Sequence, residues 1–153
     1  MVGSNRRGFT LLEILLVVAA IAILAGIIIV AINPARQLGE TRDAQRQSDV
    51  NAISSALQQY YIKYAGFPAA LPEDDGTCSD KESNSEFGFC IYGTDCSPGY
   101  SLDDLTPNFI NAIPADPSDS NDGFSGYVAF RNSTNRVYVC APGAEQGTIS
   151  VKR

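Results

Sequence analysis

From Phe9 to Ile32 the chain is apolar without a period: 24 residues carry one charge, Glu13. As a helix this run is about 36 Å long, against roughly 30 Å of bilayer hydrocarbon, and is predicted to span a membrane. Asn33-Pro34 ends it. Proline lacks a backbone donor and its ring clashes with the preceding turn, so a kink or local melting is expected at Pro34. Beyond it, Val50, Ile53, Leu57, Tyr60 or Tyr61, and Tyr64 recur every three or four residues. That is one stripe of an amphipathic helix, suited to lie on a sheet. Arg36, Glu40, Arg42, Asp43, Arg46 and Asp49 are assigned to the opposite face. Such a belt is either a solvated surface or a set of contacts between copies of the chain. Gly66 and Pro68 are expected to stop the helix.

The remainder reads as short strands and turns. Residues 67–100 form a long loop rich in Gly, Ser, Asp and Pro, with one strand in the run Phe87 to Tyr92. SLDDLTPNFINAI offers Ser101 as an N-cap and Asp104 in a capping-box position, which predicts a short, Pro-interrupted helix. Tyr127 to Arg131 and Arg136 to Cys140 alternate as a hairpin around residues 132–135, and Thr148 to Lys152 makes a last strand. The expected fold class is α+β: a long N-terminal helix packed on a small antiparallel sheet. Asn132-Ser133-Thr134 is a glycosylation sequon, but in a hairpin loop it reads as a turn.

Composition narrows the chemistry. The 153 residues contain no histidine, which excludes Ser-His-Asp and Cys-His nucleophilic sites and histidine metal ligands. From Gly66 onward stand 13 acidic and five basic residues, a net of −8, which argues against nucleic acid as a direct partner. Cys78, Cys90, Cys96 and Cys140 all follow the apolar run, at spacings that match no zinc pattern. Two disulfides in an oxidising compartment are expected. Three pairings are open, with Cys78–Cys90 and Cys96–Cys140 favoured.

The glutamate at the head of the apolar run is the chemical oddity. A cleaved secretory signal peptide, cut after Ala20-Ile21-Ala22, would leave a greasy new terminus and a charge inside its apolar region. A plain signal anchor explains Arg6, Arg7 and the length, but not Glu13. The string RRGFTLLEILLVV resembles the N-terminal signature of type IV pilins and pseudopilins, through Gly8, Phe9 and Glu13 after a short basic leader. The resemblance is closest over residues 6–65, looser over about 100–153 and slight between.

That resemblance implies a leader, residues 1–8, removed by a prepilin peptidase between Gly8 and Phe9, with N-methylation of Phe9. Residues 9–32 then form a transmembrane and filament-core helix, 33–65 an amphipathic stem, and 66–153 a disulfide-bonded head of the pilin fold. Phe9 and Glu13 stand at i and i+4, so the new amine and the carboxylate can meet on one helix face or between subunits, which gives Glu13 a role in subunit assembly. The expected protein is a non-enzymatic subunit of a helical homopolymer for adhesion, motility or DNA uptake. It waits in the inner membrane with a cytoplasmic N-terminus and then joins an extracellular filament, with a platform protein, an assembly ATPase and minor pilins as partners. A type II secretion pseudopilin is the nearest alternative, and a membrane-tethered domain that never polymerises is another. No cofactor is expected: the aspartates of IPADPSDSNDG read first as turn formers, with calcium the one candidate ligand. Pseudopilins hold that ion in a late loop, for which Asp116, Asp119 and Asp122 are the candidate ligands here, although their spacing is not that of an EF-hand.

Overall fold

The computed structural model describes residues 8–83, 85–91, 93–118 and 123–153. The chain divides into two compact units between Leu38 and Gly39. Along it run helix α1 (Leu11–Ile32), helix α2 (Pro34–Tyr64), a 3-10 turn at Cys78–Asp80 and strand β1 (Gly88–Cys90). A second 3-10 turn (Asp103–Leu105) and strands β2 (Phe124–Arg131), β3 (Val137–Ala141) and β4 (Ile149–Lys152) complete it. Long N-terminal helices followed by a small antiparallel sheet make the α+β arrangement that the hydrophobic pattern called for.

The helices are separated by one residue. Asn33 adopts the left-handed conformation, φ 44° and ψ 80°, and its Oδ1 accepts the Arg36 N–H at 3.4 Å. Pro34 opens α2, where a missing N–H costs nothing because first-turn donors have no partner within the helix. At the other end Ala65, with φ 53°, takes the left-handed position that was assigned to Gly66. Chain direction therefore changes one residue earlier than the glycine predicts.

The sheet is an antiparallel meander in the order β1-β2-β3-β4. Val128 faces Cys140 and Arg131 faces Val137 across the central hairpin, whose turn is tied by Asn132 Oδ1 accepting the Thr134 and Arg136 N–H groups. The sequon asparagine is thus a turn residue. Between β1 and β2 the register slips: Gly88 faces Val128 while Cys90 faces Phe124. Gly126, at φ 82°, lies in the extra length of β2. A side chain would be strained there, so glycine makes the bulge.

Val50, Ile53 and Leu57 of α2 are fully buried in one core with Tyr127, Ala129, Val137 and Val139 of the sheet. Each buried aliphatic side chain contributes about 1.5–3 kcal/mol. On the other face Val128, Phe130 and Cys140 pack with Phe87, Cys78 and Tyr138. Both faces of β2 are covered, so it extends to Phe124 with every residue but Arg131 buried, where alternation alone had marked only its second half.

Two expectations are corrected. SLDDLTPNFINAI forms only the 3-10 turn, with Ser101 Oγ accepting the Asp103 N–H at 3.0 Å. Pro107 cannot donate into a helix begun at Asp103, yet Leu102, Leu105 and Ile113 still bury. The disulfides are Cys78–Cys140 and Cys90–Cys96, not the favoured pairing. The Cys78 turn packs beside Cys140 of β3, while Cys90 ends β1 and the chain bends back to Cys96.

Candidate functional site

Gly8 and Phe9 precede α1, and Thr10 is its N-cap, with extended dihedrals of −82° and 148°. Thr10 Oγ1 accepts the Glu13 N–H at 3.2 Å. Thr-x-x-Glu is a capping-box pattern, so local helix chemistry favours an acid at this position. The helix N-terminus also carries partial positive charge that stabilises a carboxylate in its first turn. These effects explain how an apolar helix tolerates Glu13 at its start. Glu13 itself is exposed.

No residue of α1 is buried. Its 22 residues rise about 33 Å and are apolar on every side, enough by length and composition to cross a bilayer. A helix of that kind is stable in lipid or against other apolar helices, not in water. Gly26 lies in its interior, and a β-carbon there would meet nothing within 4 Å. Among the described residues no contact therefore calls for glycine at this place.

The charged residues of α2 divide. Arg36 and Glu40 are exposed. Asp43, Arg46 and Asp49 are buried, and Arg46 is fully so, which corrects their assignment to an outward face. Arg46 Nε donates to Asp116 Oδ2 at 2.6 Å and Nη2 to Oδ1 at 2.8 Å, while Nη1 donates to Asp43 Oδ1 at 2.8 Å. Nη2 also donates to Ser118 Oγ. Asp43 accepts the backbone N–H groups of Glu145 and Gln146, Arg42 pairs with Glu145 at 2.5 Å, and the Tyr127 hydroxyl donates to Asp49 Oδ2 at 2.8 Å. One arginine thus pins two late loops, around 116–118 and 143–146, to the helix.

Burial pushes the Asp116 and Asp43 carboxyls up. For Asp116 the Arg46 guanidinium and Ser118 outweigh it; for Asp43 the Glu145 amide, Arg46 and the Gln146 amide do. Both end below the ordinary value of 3.8. Arg46 rises, chiefly through its bonds to Asp116, and stays charged. This network bears on the calcium candidates. Both Asp116 oxygens already face a permanent cation. Asp119 and Asp122 lie outside the described residues. Among the described residues no group of three or more acidic or cysteine side chains is placed to hold a metal.

The N-terminal residues and the buried network belong to different units. Position in the sequence located the first; the second was missed because charge was taken for exposure.

Residues 3–29 match the family described as the prokaryotic N-terminal methylation motif. That motif, covering the first part of the chain only, is the signature of type IV pilins and prepilins. No curated protein and no solved structure matches the chain.

Proposed function

We propose that this chain is a pilin: a subunit cut between Gly8 and Phe9, N-methylated at Phe9, and polymerised into a type IV pilus-like filament. The observation that carries the reading is one carboxylate, Glu13, in the first turn of a helix otherwise apolar on every side and lying within the methylation motif. Before assembly, Arg6 and Arg7 hold the N-terminus on the cytoplasmic side and the head lies outside, where its disulfides form.

Cleavage removes both arginines and creates an amine at Phe9. An unpaired carboxylate within a bilayer costs about 3 kcal/mol, so pairing with the amine of a neighbouring subunit favours assembly and sets its register. Gly26, which costs about 1 kcal/mol in a helix interior, finds its use between helices, where small residues at Ala22 and Gly26 let backbones approach. Moving an apolar helix out of lipid requires external work, supplied by a platform protein and an assembly ATPase.

Glu13→Ala tests this. The expected variant is cleaved and accumulates in the membrane as the wild type does, while sheared surface filaments fall by about tenfold or more. Undiminished filaments contradict the role of Glu13. A wild type that forms no filaments favours a tethered, non-polymerising domain.

A further inference from the structure

The four cysteines are not equally covered. Cys90, Cys96 and Cys140 are 5%, 2% and 1% exposed, whereas Cys78 is half-buried. Thiol–disulfide exchange is a displacement at one sulfur, so the attacking thiolate must reach that sulfur. The two disulfides differ in whether it can.

Cys90 and Cys96 pack with Phe124 in a cluster of their own. The chain is tight around them: a β-carbon at Gly99 would stand 2.6 Å from the Phe124 ring and 2.9 Å from the Cys96 carbonyl oxygen. A thiolate reaches neither sulfur unless this region opens.

Cys78–Cys140 instead borders a cleft of about 260 Å³. Its walls are Ser79 and Lys81 on the side of the Cys78 turn, and Pro142, Ala144 and Thr148 after β3. Ser79, Pro142 and Thr148 are exposed, so the cleft opens to solvent. Cys140 is the inner sulfur, packed with Val128 and Phe130 on the sheet, and Cys78 is the outer one.

We propose that Cys78 is the exchange sulfur of the head: the thiolate of an extracytoplasmic dithiol protein enters this cleft and attacks Cys78 Sγ. The S–S bond breaks, Cys140 Sγ leaves with the electron pair and takes a proton, and a mixed disulfide joins the partner to Cys78. The partner's second thiolate then attacks its own sulfur in that mixed disulfide, and Cys78 leaves and is protonated. The partner dithiol is oxidised to a disulfide as the head disulfide is reduced to two thiols. Access and leaving group oppose each other at this bond. Buried Cys140 is the poorer leaving sulfur, but attack on Cys140 itself would have to pass through the packed sheet face, so access sets the site. The proposal needs the head to lie outside the membrane and does not depend on polymerisation.

The probe is 2-mercaptoethanol, a neutral monothiol, applied to the full chain in detergent well below its unfolding temperature. Samples are quenched in acid, denatured, alkylated and mapped by peptide mass spectrometry. The expected first product carries mercaptoethanol on Cys78 and a free thiol at Cys140. It forms at least about tenfold faster than any product at Cys90 or Cys96. Thr148→Trp places an indole at the cleft and is expected to slow that product by about tenfold, with the melting temperature and the Cys90–Cys96 rate unchanged. Equal rates at the two disulfides, first reaction at Cys90–Cys96, an adduct on Cys140, or no exchange in the folded chain each overturn the proposal. So does a folded Thr148→Trp variant that exchanges at the wild-type rate. The wild-type map decides alone where that variant fails to fold.

Discussion

Arg46 and Asp116 lie 70 residues apart in the chain and meet through two hydrogen bonds of 2.6 and 2.8 Å, both side chains out of contact with water. A fully buried guanidinium is costly unless every donor is satisfied, and here Asp43, Asp116, Ser118 and, at 3.4 Å, Glu145 do so. The network fixes where the 116–118 loop sits on α2. It contributes position more than net stability, because an apolar replacement of both partners can be equally stable.

Removing one partner leaves the other charge buried and under-compensated, although Arg46 keeps Asp43 and Glu145 when Asp116 is lost. Asp116→Asn or Arg46→Ala is therefore expected to destabilise the head by about 3–5 kcal/mol, and the double variant Arg46→Met with Asp116→Leu by much less than either. Thermal or denaturant unfolding of the full chain in detergent measures this. A double variant as unstable as Arg46→Ala would show that the loss lies in packing and not in the unpaired charge.

Acid should loosen the same network. Asp43 and Asp116 have lower pKa values in the folded head than the ordinary 3.8. Their contribution is complete above about pH 5, and is lost as pH falls through the folded values, because the unfolded chain then binds more protons. The melting temperature is expected to be level from pH 7 to about 5 and to drop below about 4, with a shallower drop in the Arg46→Met, Asp116→Leu variant. Equal slopes in the two proteins would remove this network from the acid response.

The N-terminal signature, the helices and the sheet were legible because each rests on local pattern: an apolar run, a 3.6-residue stripe, alternating strands. The buried face of α2 carries Gly39, Asp43, Arg46, Val50, Ile53 and Leu57 at intervals of four and three residues. That is one continuous helical stripe whose chemistry changes from apolar to charged below Val50. Its period was in the sequence, but polarity was read as exposure, and the partners that make burial of Arg46 tolerable include Asp116, Ser118 and Glu145, all distant in the chain. The disulfides were illegible for a related reason. Packing of the Cys78 turn beside β3, not chain separation, brings Cys140 to Cys78.

The two disulfides should differ in weight. Closing the loop between Cys78 and Cys140, 62 residues apart, removes unfolded-state entropy worth about 4 kcal/mol, against about 2 kcal/mol for Cys90 and Cys96, six apart. Cys78→Ser with Cys140→Ser is expected to lower the melting temperature more than Cys90→Ser with Cys96→Ser. The reverse order would mean that local geometry at the end of β1 matters more than loop length.

Calcium separates the Arg46 network from a metal-held loop. With the Asp116 oxygens on Arg46, added calcium or a chelator is expected to leave the melting temperature unchanged. A calcium-dependent rise, lost in Asp116→Asn, would show that the loop does take the ion, and would favour the pseudopilin alternative.

The central claim is that residues 1–8 are a leader and Phe9 begins the working subunit. The most direct measurement is the intact mass and N-terminal residue of the protein recovered from the cell envelope and from sheared filaments. The account predicts a chain beginning at N-methylated Phe9 in both fractions. A chain retaining Met1, or one beginning at Ile23 after the Ala20-Ile21-Ala22 triplet, would contradict it.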